Sequence, residues 1–254
     1  MNILFYISQH WRQAQHACWL SLLLMLGCNK ENAPDCFQLA GEYKSLEREL
    51  DEFATMELND YIQYELCDTT YYGVVITAPG NLIPEIETVV EDGKLKVFNS
   101  NSCNFVRSYK NRITVRICSP DFRDIQNYAT GDLTTVNTIT GARFSIGNRG
   151  AAGVQRFRLS CDTVNIASHT GVSDVEVSGD CDVVYLFSQG LGKTDARDLV
   201  SNYAFVNNSS LNDVYVQANN YLYAFIQYSG SIYYIGNPQS IDEEIDGSGL
   251  IAPL

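Results

Sequence analysis

Basic residues are scarce in this chain: 17 Lys and Arg stand against 30 Asp and Glu, for a formal charge of −13. A surface that acidic repels polyanions, so nucleic acid is not expected as a partner. Histidine is scarcer still, three in 254 residues, and only His169 lies beyond the amino-terminal segment. There is no Cys-x-x-Cys pair either, so the usual ligand set of a zinc site is missing and no metal is expected. No apolar run reaches the ~20 residues a membrane-spanning helix needs. Beyond residue 60, helical amphipathic periodicity of useful length is absent as well. What the chain does have is 45% apolar residues, 16 Tyr and 11 Phe, with β-branched residues in short runs broken by Gly, Asn, Asp and Ser. That pattern points to an all-β protein with a buried core.

The first 27 residues contain Arg12 but no acid, and they end in the apolar run Ala17 to Gly27. A run of that length suits a signal-peptide core of roughly 7–15 residues. The segment Met25-Leu26-Gly27-Cys28 resembles a lipobox, in which a small residue precedes the cysteine that is acylated and becomes the new amino terminus. The expectation is a signal peptide over 1–27, lipidation of Cys28 and a polar tether over 28–41. The protein would then be exported and lipid-anchored in the cell envelope, at the outer membrane of a Gram-negative bacterium, with the anchor its sole membrane contact. An ordinary signal peptide with Cys28 incidental is the competing reading.

Residues 131–254 carry a repeat. The alternating pair Phe144 and Ile146 recurs as Val164 and Ile166, Val184 and Leu186, Ala204 and Val206, and Ala224 and Ile226, at a spacing of twenty. A second series lies half a period away: Val175 and Val177, a weaker Thr194 and Ala196, Val214 and Val216, then Tyr233 and Ile235. Two short strands per ~20-residue coil describe a β-helix, or solenoid, whose coils stack to bury a narrow apolar core. An antiparallel sandwich also offers strands every ten residues, but it has no reason to hold one register over five copies. Ser178-Gly179-Asp180, Asn207-Asn208-Ser209-Ser210 and Ser229-Gly230-Ser231 are read as the connecting turns. Over 42–130 the pattern is less regular. Leu46 to Phe53 is charged and reads as a short helix or an entry strand. Met56 to Cys67, Tyr72 to Thr77, Lys94 to Phe98 and Ile113 to Ile117 read as strands, and 101–112 as an exposed hairpin loop. This stretch is expected to form irregular N-terminal coils continuous with the solenoid, or a cap on it.

From about residue 46 to 250 the chain resembles the autotransporter adhesins with a head GIN domain. Arg48-Glu49-Leu50-Asp51-Glu52-Phe53 with Met56-Glu57-Leu58 resembles that family's opening strand, and Asp92-Gly93-Lys94-Leu95-Lys96-Val97 a following signature. Tyr228-Ser229-Gly230-Ser231-Ile232-Tyr233-Tyr234-Ile235-Gly236-Asn237-Pro238 matches its last repeat, and Asp246-Gly247-Ser248-Gly249 its terminal glycine turn. The resemblance implies a two-sheet β-helix on secreted or lipid-anchored envelope proteins, with adhesion suspected and no enzyme chemistry established. The family's Ser-Gly-Ser-Gly turns are degraded here, for example to Ser209-Ser210.

Setting aside Cys18 and Cys28, six cysteines remain: Cys36, Cys67, Cys103, Cys118, Cys161 and Cys181. Cys161 and Cys181, twenty apart, are expected on successive coils as a disulfide or as stacked thiols; Cys103 and Cys118 are expected to meet across the hairpin loop. Gly192-Lys193-Thr194 hints at a phosphate loop, but Phe187 stands where the first glycine of that motif would fall. His169 lacks a nucleophile beside it and reads as a loop residue. Asp174, Glu176, Asp180 and Asp182 read as solvated turn acids, with calcium or sugar chemistry as the rival. Tyr185, Phe205 and Phe225 lie between the inward pairs and so form an outward aromatic strip, suited to a glycan or protein ligand unless another segment covers it. The chain is therefore read as a surface for adhesion or glycan and protein binding, with no catalytic residues and no cofactor. The alternatives are a structural envelope component and a β-helix carbohydrate-active enzyme drawing on Lys193 and Arg197 near Asp195 and Asp198.

Overall fold

The computed structural model describes residues 40–101 and 112–254. The apolar run, Cys28, the tether to residue 39, Cys36, Cys103 and most of the 101–112 loop lie outside the described residues.

Three strands of 15 residues show how one coil is made: β11 (Val154–Ser168), β12 (Asp174–Ser188) and β13 (Thr194–Asn208). They pair in parallel, Val164 beside Val184 beside Ala204. Each runs along one sheet, bends, and continues along a facing sheet. The bend falls at Asp162, Asp182 and Asn202, where the register partners are interrupted and the inward residues change parity from Leu159 and Cys161 to Val164 and Ile166. Ser178-Gly179-Asp180 therefore lies inside β12, just before the bend, and is not the turn expected from its composition, because both neighbouring strands pair with it. The other corner is a true turn, organised by Asn208. Its amide donates to Asn212 O (2.9 Å) and Ser231 O (3.1 Å) and accepts from Ser210 N (3.1 Å), so a buried polar side chain satisfies the turn's backbone.

Toward the carboxyl end the coils divide into separate strands. On the first sheet these are β14 (Val214–Gln217), β16 (Ile232–Ile235) and β18 (Ile251–Pro253); on the second, β15 (Tyr221–Ile226) and β17 (Ser240–Ile245). Toward the amino end, β9 (Leu133–Thr135) continues the first sheet, and β8 (Asp124–Asn127) and β10 (Ile139–Asn148) the second. Phe144, Val164, Val184 and Ala204 from the second sheet meet Phe157, Val175, Val177 and Val214 from the first in one buried core. The Phe144 and Phe157 rings lie 5.2 Å apart across it. A single coil exposes this stripe on both sides; stacking removes it from water at ~1.5–3 kcal/mol per large side chain.

Coil length is not constant. Register offsets run from 22 residues between Leu133 and Gln155, through 20 between Val164 and Val184, to 18 between Ala204 and Leu222. The fifth copy of the repeat is therefore corrected: Leu222 and Ala224, not Ala224 and Ile226, sit over Ala204 and Val206. In the second series Ile232 and Tyr234 pair with Val214 and Val216, so Tyr233 faces outward.

The amino end is closed by an antiparallel cap. After β2 (Thr55–Leu58) and β3 (Gln63–Asp68) form the first coil, β4 (Gly73–Pro79) pairs antiparallel with both β1 (Tyr43–Glu49) and β7 (Thr114–Ser119). The charged Leu46 to Phe53 stretch thus begins as an entry strand. A hairpin of β5 (Ile86–Glu91) and β6 (Lys94–Asn99) turns at Asp92 and Gly93, both at positive φ, and β6 pairs in parallel with β2. Arg48 staples β1 to the hairpin, donating to Ile86 O at 2.7 Å and Thr88 Oγ1 at 3.0 Å.

Candidate binding surface

Alternation along β12 and β13 turns Tyr185 and Phe205 outward on the second sheet. They are register partners, and their rings stack with centroids 5.0 Å apart at 16°. The third ring is corrected. Phe225 is aligned with Asn207, and Tyr223 takes the place beside Phe205. Tyr203 and Tyr221 form an adjacent column, with Tyr221 5.7 Å from Phe205. Tyr185 is 45% and Tyr203 40% exposed. The stack covers the facing sides of Tyr185 and Phe205, whereas Tyr221 meets Phe205 at a tilt of 56°. At the two ends of the strip the register neighbours are smaller, Asn165 beside Tyr185 and Asp242 beside Tyr223. The carboxyl margin is acidic: Tyr221 donates to Asp242 Oδ2 at 2.7 Å and Tyr223 to Glu244 Oε2 at 2.9 Å. Those bonds to carboxylates raise both phenol pKa values.

The first sheet carries a second outward ladder: Arg156, Glu176, Asp195, Tyr215 and Tyr233. Tyr215 and Tyr233 stack at 5.5 Å and 22°, and Arg197 caps Tyr215 at 4.1 Å from the ring centre. Sequence alternation through Val214-Tyr215-Val216 already turned Tyr215 outward; Tyr233 was hidden by its assignment to the core. A register shift between Glu176 and Ser178 opens a furrow of about 400 Å³ bordered by Arg156, Arg158, Glu176, Asp195 and Asp198. Arg156 pairs with Glu176 at 2.8 Å, and Asp195 with Arg197 at 2.8 Å and Lys193 at 3.1 Å. Burial raises the Asp195 pKa, but the hydrogen bonds from Arg197 and Lys193 outweigh it and hold the carboxyl below its usual range. It is an ionised anchor for two cations, not a proton donor.

The remaining candidates are dispersed. Asp174, Glu176, Asp180 and Asp182 are strung along one strand, each with its own partner: Lys193 N, Arg156, Ser160 Oγ and Asn202 Nδ2. Thr194 of the Gly-Lys-Thr stretch points into the core, and Lys193 bonds Asp195, so nothing there cradles a phosphate. His169 packs on Phe187 at 5.3 Å, and burial followed by nearby Arg149 lowers its pKa. Cys161 and Cys181 are register partners at the bend. Cys118 is aligned with Cys67.

A family model described as "Putative auto-transporter adhesin, head GIN domain" matches residues 52–238. The chain belongs to this family. No curated protein matches it. Among solved structures, the head GIN chain is similar to a "putative adhesin" from Bacteroides fragilis, with a TM-score of 0.77 at 24% identity over 84% of this chain and 97% of that one. A "putative adhesin" from Parabacteroides distasonis gives 0.67 at 14% identity, over 84% and 98%. A "putative lipid binding protein" from Parabacteroides distasonis gives 0.61 at 19%, over 84% and 97%. At these identities the likeness establishes the solenoid fold. The family name suggests a surface or exported protein, and among the described residues no helix is long and apolar enough to cross a membrane.

Proposed function

We propose that this head GIN protein is a lipid-anchored, non-enzymatic module of the cell envelope that holds a glycan or protein ligand against the aromatic strip of its second sheet. The observation that carries this reading is the stack of Tyr185 on Phe205, with the Tyr221 ring 5.7 Å from Phe205 and Tyr223 as its register partner. Aromatic side chains aligned in solvent weaken solubility unless something uses them. Their position also suits presentation. The chain enters through β1 at the capped end, whereas β13 lies six strands beyond β6 on the second sheet, roughly 30 Å away at ~4.8 Å per strand.

A glycan and protein array, run beside a polysaccharide-degradation assay, tests the reading. Saturable binding without released sugar supports it; release of sugar products overturns the non-enzymatic part. For the anchor, radiolabelled palmitate should enter the wild type and be lost in Cys28→Ser, while label retained by that variant contradicts lipidation at Cys28.

A further inference from the structure

All four cysteines among the described residues fall into two register pairs, each on neighbouring parallel strands: Cys67 with Cys118, and Cys161 with Cys181. In-register residues on adjacent strands lie about 4.8 Å apart at Cα, inside the ~4.4–6.8 Å range a disulfide accepts, and their side chains leave the sheet on the same face. The two pairs differ in surroundings. Cys161 and Cys181 face inward at the bend, and the Cys161 thiol donates to Ile139 O (3.6 Å) on β10, the strand on the side away from Cys181. Cys67 and Cys118 lie on the outward face of the first sheet, since their neighbours Leu66 and Ile117 are the core residues. Across from Cys118 on the other side stands Gly73, which has no side chain to crowd the sulfur. A surface furrow of about 310 Å³, bordered by Glu47, Tyr71, Gly73 and Cys118, reaches it from outside. Cys67 is the less buried of the two.

We propose that Cys67 and Cys118 are joined by a disulfide that fastens the first coil to the antiparallel cap. The bond would close the chain from β3 to β7 around β4, β5 and β6, the strands that cover the amino end of the core. Its formation needs a disulfide oxidant of the kind an exported protein meets. With oxidised glutathione, the Cys67 thiolate attacks one glutathione sulfur and expels the other as a thiolate. Cys118 then attacks the Cys67 sulfur of the mixed disulfide and expels the second. Two electrons pass to glutathione, and the two protein thiol protons end on the two glutathione thiols.

Non-reducing peptide mapping tests this on the full chain, equilibrated with oxidised and reduced glutathione and alkylated before acid digestion. The expected result is a cross-linked species containing Cys67 and Cys118, with Cys161 and Cys181 recovered alkylated once unfolded. Reduction should lower the Tm of the wild type by roughly 5–10 °C and leave that of Cys67→Ser unchanged. Recovery of Cys67 and Cys118 as separate alkylated peptides overturns the proposal. So does a link from Cys118 to Cys103, the pairing the hairpin loop suggested.

Discussion

Phe205 on β13 has Tyr223 on β15 as its register partner, eighteen residues on, while Phe225 stands beside Asn207. The shortened coil decides which residues stand beside Phe205, and the ring that touches it from β15 is Tyr221. In double-mutant cycles to Ala, Tyr185 and Phe205 should couple by about 0.5–1 kcal/mol in urea unfolding. Phe205 and Phe225 should couple by less than ~0.3 kcal/mol, and the reverse order would contradict the register.

Gly179 holds φ +116 inside β12, and a Cβ there would lie 1.9 Å from Leu159 O. Neither backbone can move without breaking the ladder. Gly179→Ala should cost roughly 2–3 kcal/mol of stability, and a loss under ~0.5 kcal/mol would mean the approach of Gly179 to Leu159 is drawn wrongly.

Asp195 gives a pH dependence with a fixed sign. Its folded pKa lies below the ordinary value of 3.8, so its contribution is complete above that value and is lost as pH falls through the lower folded one. The urea midpoint of Asp195→Asn should trail the wild type near pH ~6 and converge on it near pH ~2. A constant gap across that range would show that the carboxylate is not held by Arg197 and Lys193.

Burial pushes the thiol of Cys161 up to about 11 and that of Cys181 to about 12. At pH ~8 only on the order of a thousandth or less of either is thiolate. In the folded, reduced protein iodoacetamide should label Cys67 well before these two. Equal rates would place the bend in solvent.

Much of this fold was legible in the sequence, and the places where it was not have physical causes. The series from Phe144 and Ile146 to Ala204 and Val206 was readable because small or aliphatic inward residues after Phe144 recur at constant coil length. A coil shortened by two residues preserves that alternation, so the shift at β15 left no trace. In the second series Ile232-Tyr233-Tyr234-Ile235 is apolar at both parities, and alternation could not choose a face. The antiparallel cap was less legible still, because pairing β4 with β1 and β7 joins segments far apart in sequence. Of the aromatic strip, Tyr185 and Phe205 followed directly from the repeat and Tyr223 required the actual register; on the first sheet, alternation already turned Tyr215 outward, whereas Tyr233 required the register.

The most direct test of the account is retention of the variant Tyr185→Ser, Phe205→Ser, Tyr223→Ser on the ligand the array identifies, measured beside its Tm and circular dichroism. The account expects a folded β protein, within about 5 °C of the wild-type Tm, whose affinity falls at least ~100-fold, since aromatic contact residues are the type that dominates binding energy. A variant that folds and binds as tightly as the wild type would contradict it.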